Sequence, residues 1–201
     1  MSETFSGTVT IVDSQGRQVF HFDSSHALLD IGATGAEGDL RIWDAVGDPK
    51  IHLDGGMGRI KLLGAHCAED FDLSEVETAE PGTVMRIDDE GALKPCDHPY
   101  DHRVAGVVSG GEGYGPGIIL DKQESEVDRI TVALLGRAYC KVDAGSAPIG
   151  VGDLLTTSGT VVGHAMKVTD WSQALGSVLG KALRSLDQGQ QGMIPILVSL
   201  Q

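Results

Sequence analysis

The sequence predicts an all-β chain in two parts, a repetitive β-strand shaft followed by a compact β-barrel or sandwich with an internal duplication. Three observations carry that reading: an excess of glycine, a gapless repeat in the first third, and a looser repeat in the remainder. Glycine accounts for 28 of 201 residues, about twice the usual share. The glycines lack the strict three-residue period of collagen. A hydrophobic content of 41% suits a folded core rather than a disordered acidic chain, while aromatics make up only 4%.

The first repeat is read directly. Val9–Asp23 aligns without gaps on Leu40–Asp54 at an offset of 31 residues, with Ile11/Ile42, Asp13/Asp44, Gly16/Gly47, His21/His52 and Asp23/Asp54 identical. Each unit reads as strand, Asp-x-x-Gly turn and strand, because Asp and Gly supply turn chemistry between alternating runs. A third short strand follows each time, around Leu28 to Ile31 and Arg59 to Leu63. Two or three large apolar side chains per strand are too few for an independent core of about 60 residues. Residues 1–65 therefore predict a shaft-like domain in which three copies of the chain share one core. A small β-meander packed on the second domain is the alternative.

Residues 66–80 hold six acids, Glu69, Asp70, Asp72, Glu75, Glu77 and Glu80, and no Lys or Arg. They predict an acidic linker or collar, with Leu73 and Val76 spaced like one helical turn. Residues 81–201 predict a compact β-domain. In its first half Pro81–Met85, a turn at Asp88–Gly91, Ala92–Lys94 and Val104–Val108 follow one another. In its second, Val151–Leu155, a turn at Ser158–Gly159, Ala165–Lys167 and Ala174–Val178 do the same. Gly82/Gly152 and Gly106/Gly176 are each 70 residues apart. Further strands are expected at Gly117–Leu120, Ile130–Val142 and Met193–Leu200, with Pro195 marking an edge or a bulge. Only Asp170–Leu175 reads as helical, a single turn capped by Thr169 or Asp170.

Charge and targeting exclude several classes. With 15 Lys and Arg against 29 Asp and Glu, the formal charge is -14. That balance argues against a nucleic-acid partner, which needs clustered basic residues, and against an anionic membrane. The first residues show neither a basic region nor an apolar run, so no signal peptide is expected and synthesis is placed in the cytoplasm. Cys67, Cys96 and Cys140 are isolated, and no C-x-x-C pair exists, so free thiols are expected.

The motifs that invite chemistry are weak. Gly110–Gly117 cannot be placed as G-x-G-x-x-G, and no Lys-Ser or Lys-Thr follows, so it reads as a hairpin loop rather than a phosphate cradle. Cys96, His98 and His102, with Asp97 and Asp101, fall within seven residues. They are candidate ion ligands, but no second ligand cluster lies at zinc-finger spacing. His21 and His52 occupy equivalent repeat positions and on a three-fold axis could hold an ion; a sheet-facing polar side chain is the plainer reading. Ser109, His102 and Asp101 supply triad residue types without the G-x-S-x-G elbow. Asp121 and Glu126 belong to a charged loop. No catalytic residue, metal or cofactor is assigned.

One resemblance adds to this. Ala68–Leu73, Pro81–Met85 and Tyr100–Ser109, in that order, resemble the C-terminal intramolecular-chaperone domains of phage tail appendages, the peptidase G2 group. Gly136–Val142, Val151–Leu155 and Leu175–Leu183 are similar to C-terminal domains of bacterial and phage fibre-like proteins. The resemblance implies a homotrimeric tail fibre or spike in a virion or other extracellular particle, with the C-terminal domain driving trimer assembly and other appendage or baseplate proteins as partners. It also implies a self-cleavage junction at Ala68, Glu69 and Asp70, with Asp72 standing where a second aromatic or Glu is common. A self-cleaving chaperone stays open as an alternative function. So does a carbohydrate- or surface-binding module using Trp43, Tyr100, Tyr114 and Trp171.

Overall fold

A computed structural model describes residues 7–64, 66–74, 79–122 and 128–200. The chain divides into two units, Met1–Leu63 and Gly64–Gln201. Among the described residues every regular element is a strand, apart from one 3-10 turn at Gly111–Gly113. Among the described residues no helix is long and apolar enough to cross a membrane.

The first unit holds two antiparallel three-stranded sheets. Strands β1 (Thr8–Val12), β2 (Gln18–Asp23) and β3 (Leu28–Ile31) form one, and β4 (Asp39–Trp43), β5 (Pro49–Asp54) and β6 (Arg59–Leu62) form the other. The repeated aspartates make the turns. The Asp13 carboxylate accepts the backbone N–H of Gln15 and Arg17, and Asp44 accepts those of Val46 and Asp48.

These turns tie the unit to pH. The Lys50 ammonium and the Asp48 and Val46 amides hold Asp44 down at about 2, and the Ser25 hydroxyl and His26 do the same for Asp23. A carboxyl whose folded value lies below its unfolded one stabilises fully above the unfolded value, 3.8 here, and loses that contribution as pH falls. Acidification from pH 4 to 2 is therefore expected to loosen both turns, seen as loss of amide-exchange protection at Ser25, Val46 and Asp48. Protection unchanged down to pH 2 would contradict it.

Register sorts the side chains by face, since successive strand residues point oppositely. The pairs Val9/Phe22, Ile11/Phe20, Phe20/Ile31 and Phe22/Leu29 put six large apolar groups on one face of the first sheet. The pairs Leu40/Leu53, Ile42/Ile51, Ile51/Leu62 and Leu53/Ile60 do the same in the second. The opposite faces carry Thr10, His21 and Asp30, and Arg41, His52 and Lys61. No described residue of this unit is buried; Ile42 is 50% exposed and Ile60 71%.

The second unit is a single ten-stranded sheet wrapped around two main cores, with a small third cluster at Val168, Ala174 and Val178. Its strands are β7 (His66–Asp72), β8 (Val84–Ile87), β9 (Leu93–Pro95), β10 (Val104–Val108), β11 (Ile118–Leu120), β12 (Arg129–Asp143), β13 (Leu154–Thr157), β14 (Ala165–Lys167), β15 (Val178–Ala182) and β16 (Gln191–Ser199). A closed five-stranded barrel runs β12–β16–β15–β13–β14 and returns to β12 through a parallel bridge between Val142 and Ala165. The same order recurs as β7–β12–β10–β8–β9, returning to the end of β7 through a parallel bridge between Leu73 and Leu93. The duplication expected from sequence is thus a duplication of barrels. The 15-residue β12 ends the first and begins the second.

Alternation feeds both cores. Met85 and Val108 enter the first with Leu93 and Val132, while Val84 and Val107 enter the second with Cys140, Leu155, Leu179 and Ile196. Cys96 and Cys140 are buried apolar thiols, pushed well above the usual cysteine range by burial, and all three cysteines are free.

Several expectations are corrected. The acidic segment 66–80 opens not with a linker but with β7, paired on one side to β12 and on the other to β11. Its acids are tolerated because Lys122 and Arg129, distant in sequence, reach Asp70 at 2.7 Å and Asp72 at 3.1 Å. Val76, half of the expected helical turn, lies outside the described residues, as does Glu126. The glycine loop 110–117 is a crossover rather than a hairpin, because it delivers β11 parallel to β7. Pro195 sits in an interior strand opposite Tyr139 without a bulge. Its carbonyl accepts from Leu183, just past the end of β15, so the missing N–H falls where that ladder has stopped. Asp170–Leu175 forms a turn, with the Asp170 carboxylate accepting from Ser172 and Gln173.

The counterpart of Gly106 is Gly180, not Gly176. Both are the third residue of matching strands, with φ of 152° and 159°. A Cβ on Gly106 would lie 2.4 Å from the Ala133 carbonyl oxygen, and one on Gly180 2.1 Å from that of Leu197.

Candidate functional site

The aromatic candidates fall on different elements. Trp43 is 55% exposed at the end of β4, in the first unit. Trp171 is 69% exposed in the turn after Asp170. The Tyr100 hydroxyl accepts the Thr169 and Asp170 amides at 2.9 and 2.8 Å, so it staples the segment between β9 and β10 to that between β14 and β15. Tyr114 meets Tyr139 edge to face with ring centres 5.9 Å apart, and the Arg137 guanidinium lies 4.8 Å from its ring centre. These three line an open recess of about 280 Å³ with Leu183 and Pro195. A cation over a tyrosine face at this distance is favourable by about 0.5–1 kcal/mol where exposed.

The expected junction lies inside the sheet. Ala68 and Asp70 are buried and Glu69 is half-buried in the middle of β7, with β11 and β12 bonded along its two edges. The Asp70 carboxylate also accepts from the Thr131 hydroxyl at 2.5 Å.

Of the Cys96–His102 cluster, the fold brings Asp97, His98 and Asp101 together, their ligand atoms all within 4.8 Å of one another. Arg86 already supplies the cation. Its Nε lies 2.6 Å from the buried Asp101 carboxylate, and Nη1 lies 3.4 Å from Asp97. Cys96 turns into the core and His102 stays exposed. The histidines of the repeat face away from the apolar side: His21 pairs with the Thr10 hydroxyl at 3.0 Å, and His52 with Asp39 at 3.0 Å.

The triad residue types are not assembled as a triad. Asp101 is held by Arg86, and Ser109 pairs with a different histidine. Nε2 of His66 stands 2.7 Å from Ser109 Oγ, and Nδ1 stands 3.1 Å from the Arg137 carbonyl oxygen. His66 is 5% exposed, and burial lowers its pKa below the ordinary histidine value, only partly offset by the Arg137 carbonyl. The two residues are 43 positions apart, and no local motif announces the pair.

A second buried network closes the second barrel. The Asp143 carboxylate accepts from the Ser158 and Thr160 hydroxyls at 3.0 and 2.5 Å and from the Gly145 amide at 2.9 Å. At the matching corner of the first barrel the residue types are exchanged: the Ser74 hydroxyl donates to the Leu93 carbonyl at 3.0 Å, with the Asp88 carboxylate beside it. Both corners read as structural.

No family model, curated protein or solved structure matches this chain.

Proposed function

We propose that this chain is a structural component of a homotrimeric fibre or spike, of the kind found in phage tail appendages. In this reading the N-terminal sheets form a shaft around a core shared by three copies, and the C-terminal double barrel supports trimer assembly. One observation carries it: each N-terminal sheet concentrates six large apolar side chains on one face, and none is buried. The two faces run together along an open groove lined by Leu29, Ile31, Leu40, Leu53 and Ile60.

Dimensions favour three copies. A three-stranded sheet is about 14 Å wide, and packed sheets stand about 10 Å apart. Three such sheets closed into a prism lie about 4 Å from the axis, close to half that spacing, so their inward side chains meet there. The order of motifs that resembles the peptidase G2 group points the same way.

Cysteine cross-linking tests the arrangement. With Cys67 changed to Ser, the Ile42→Cys chain is expected to form intermolecular disulfides on mild oxidation, since the apolar faces meet. The Arg41→Cys chain, altered on the opposite face, should not. Equal cross-linking of the two would contradict a shared core on the apolar side.

A further inference from the structure

The His66–Ser109 pair is a more specific arrangement than a buried histidine needs. The Arg137 carbonyl can only accept, so Nδ1 carries the imidazole proton. Nε2 is then the acceptor and the Ser109 hydroxyl the donor, across 2.7 Å. A nucleophile type, a base and a group that orients the base are thus in line, with a peptide carbonyl where a carboxylate often stands.

Three elements fix the geometry. His66 opens β7, and its carbonyl accepts the Gly117 amide. Ser109 follows β10, with its amide bonded to the Thr131 carbonyl. Arg137 lies within β12. Ser109 is half-buried rather than sealed, and the chain turns away immediately after it through Gly110, at φ 100°. Tyr114, five residues on from Ser109, lines a recess with Arg137 and Tyr139 of β12, Leu183 and Pro195, a mainly apolar and aromatic wall of a size for a small acyl group.

We propose that Ser109 is a nucleophile activated by His66, and that the chain accepts the acyl group of carboxylic esters with good leaving groups. In the first step the Ser109 Oγ bonds to the ester carbonyl carbon, its proton passes to His66 Nε2, and the bond to the leaving oxygen breaks as that oxygen takes the proton. Water then attacks the acyl-serine and gives its proton to Nε2. The carboxylic acid leaves, and the Ser109 hydroxyl is restored. A carbonyl behind the imidazole stabilises an imidazolium less than a carboxylate would, which confines the reaction to activated esters. This activity is separate from the proposed structural role and does not depend on it.

The test uses the full chain with a fluorophosphonate probe and with p-nitrophenyl acetate. Intact mass followed by peptide mapping should find one adduct, on Ser109. Ser109→Ala should abolish it, and His66→Asn should slow it about 100-fold while thermal melting stays cooperative. Absence of label on Ser109 in the native wild-type chain overturns the proposal without any variant. Labelling at the same rate in a folded His66→Asn chain overturns it too.

Discussion

Placing a methyl group on Gly180 is expected to be among the most damaging small substitutions in the chain. The new Cβ would sit 2.1 Å from the Leu197 carbonyl oxygen, a backbone atom of β16, and the residue would keep a φ of 159°. Neither neighbour can yield easily, because β15 is bonded to β13 on one side and β16 on the other. A strained backbone costs roughly 1–3 kcal/mol, and breaking the ladder to relieve the contact adds to it, so Gly180→Ala should cost about 3 kcal/mol or more. Urea unfolding followed by far-ultraviolet circular dichroism would show this as a lower midpoint with an unchanged slope. Gly106→Ala, 2.4 Å from the Ala133 carbonyl oxygen, should behave alike. Gly115→Ala, with nothing within 4 Å, should stay within about 0.5 kcal/mol of the parent. A Gly180→Ala chain as stable as Gly115→Ala would contradict the barrel geometry.

The largest effect on assembly is expected from Leu40→Asp combined with Leu53→Asp. These residues face each other across β4 and β5 on the apolar side. In a shared three-chain core the pair would place six carboxylates around one axis, and burying each unpaired charge costs several kcal/mol. The particle should fall to single chains, while the urea transition of the C-terminal unit stays in place. Arg41→Asp, on the opposite face, should leave the mass unchanged. A double variant that keeps the parent mass would show that these faces are not where copies meet.

Much of the fold was legible because its signals are local. Asp13 and Asp44 each bond the amides that follow them, so the turn chemistry read from Asp-x-x-Gly is the chemistry that forms. The expected strands at Leu28–Ile31 and around Arg59 sit where alternation placed them. What escaped depends on distant partners. Strand β7 looks like an acidic spacer because its acids are balanced by Lys122 and Arg129, some 50 to 60 residues away. Gly176 precedes β15 by two residues and Gly180 lies inside it, and strand position, φ and the contact with Leu197, none of them visible in sequence, mark Gly180 as the counterpart of Gly106. Ser109 was visible as a nucleophile type, but its base enters from another strand. Proximity in sequence suggested His102 in place of His66.

The proposed shared core makes one direct demand on the molecule in solution. Light scattering coupled to size exclusion at micromolar concentration should return about three times the chain mass of 21.1 kDa. A homogeneous single-chain mass under those conditions would contradict the central claim.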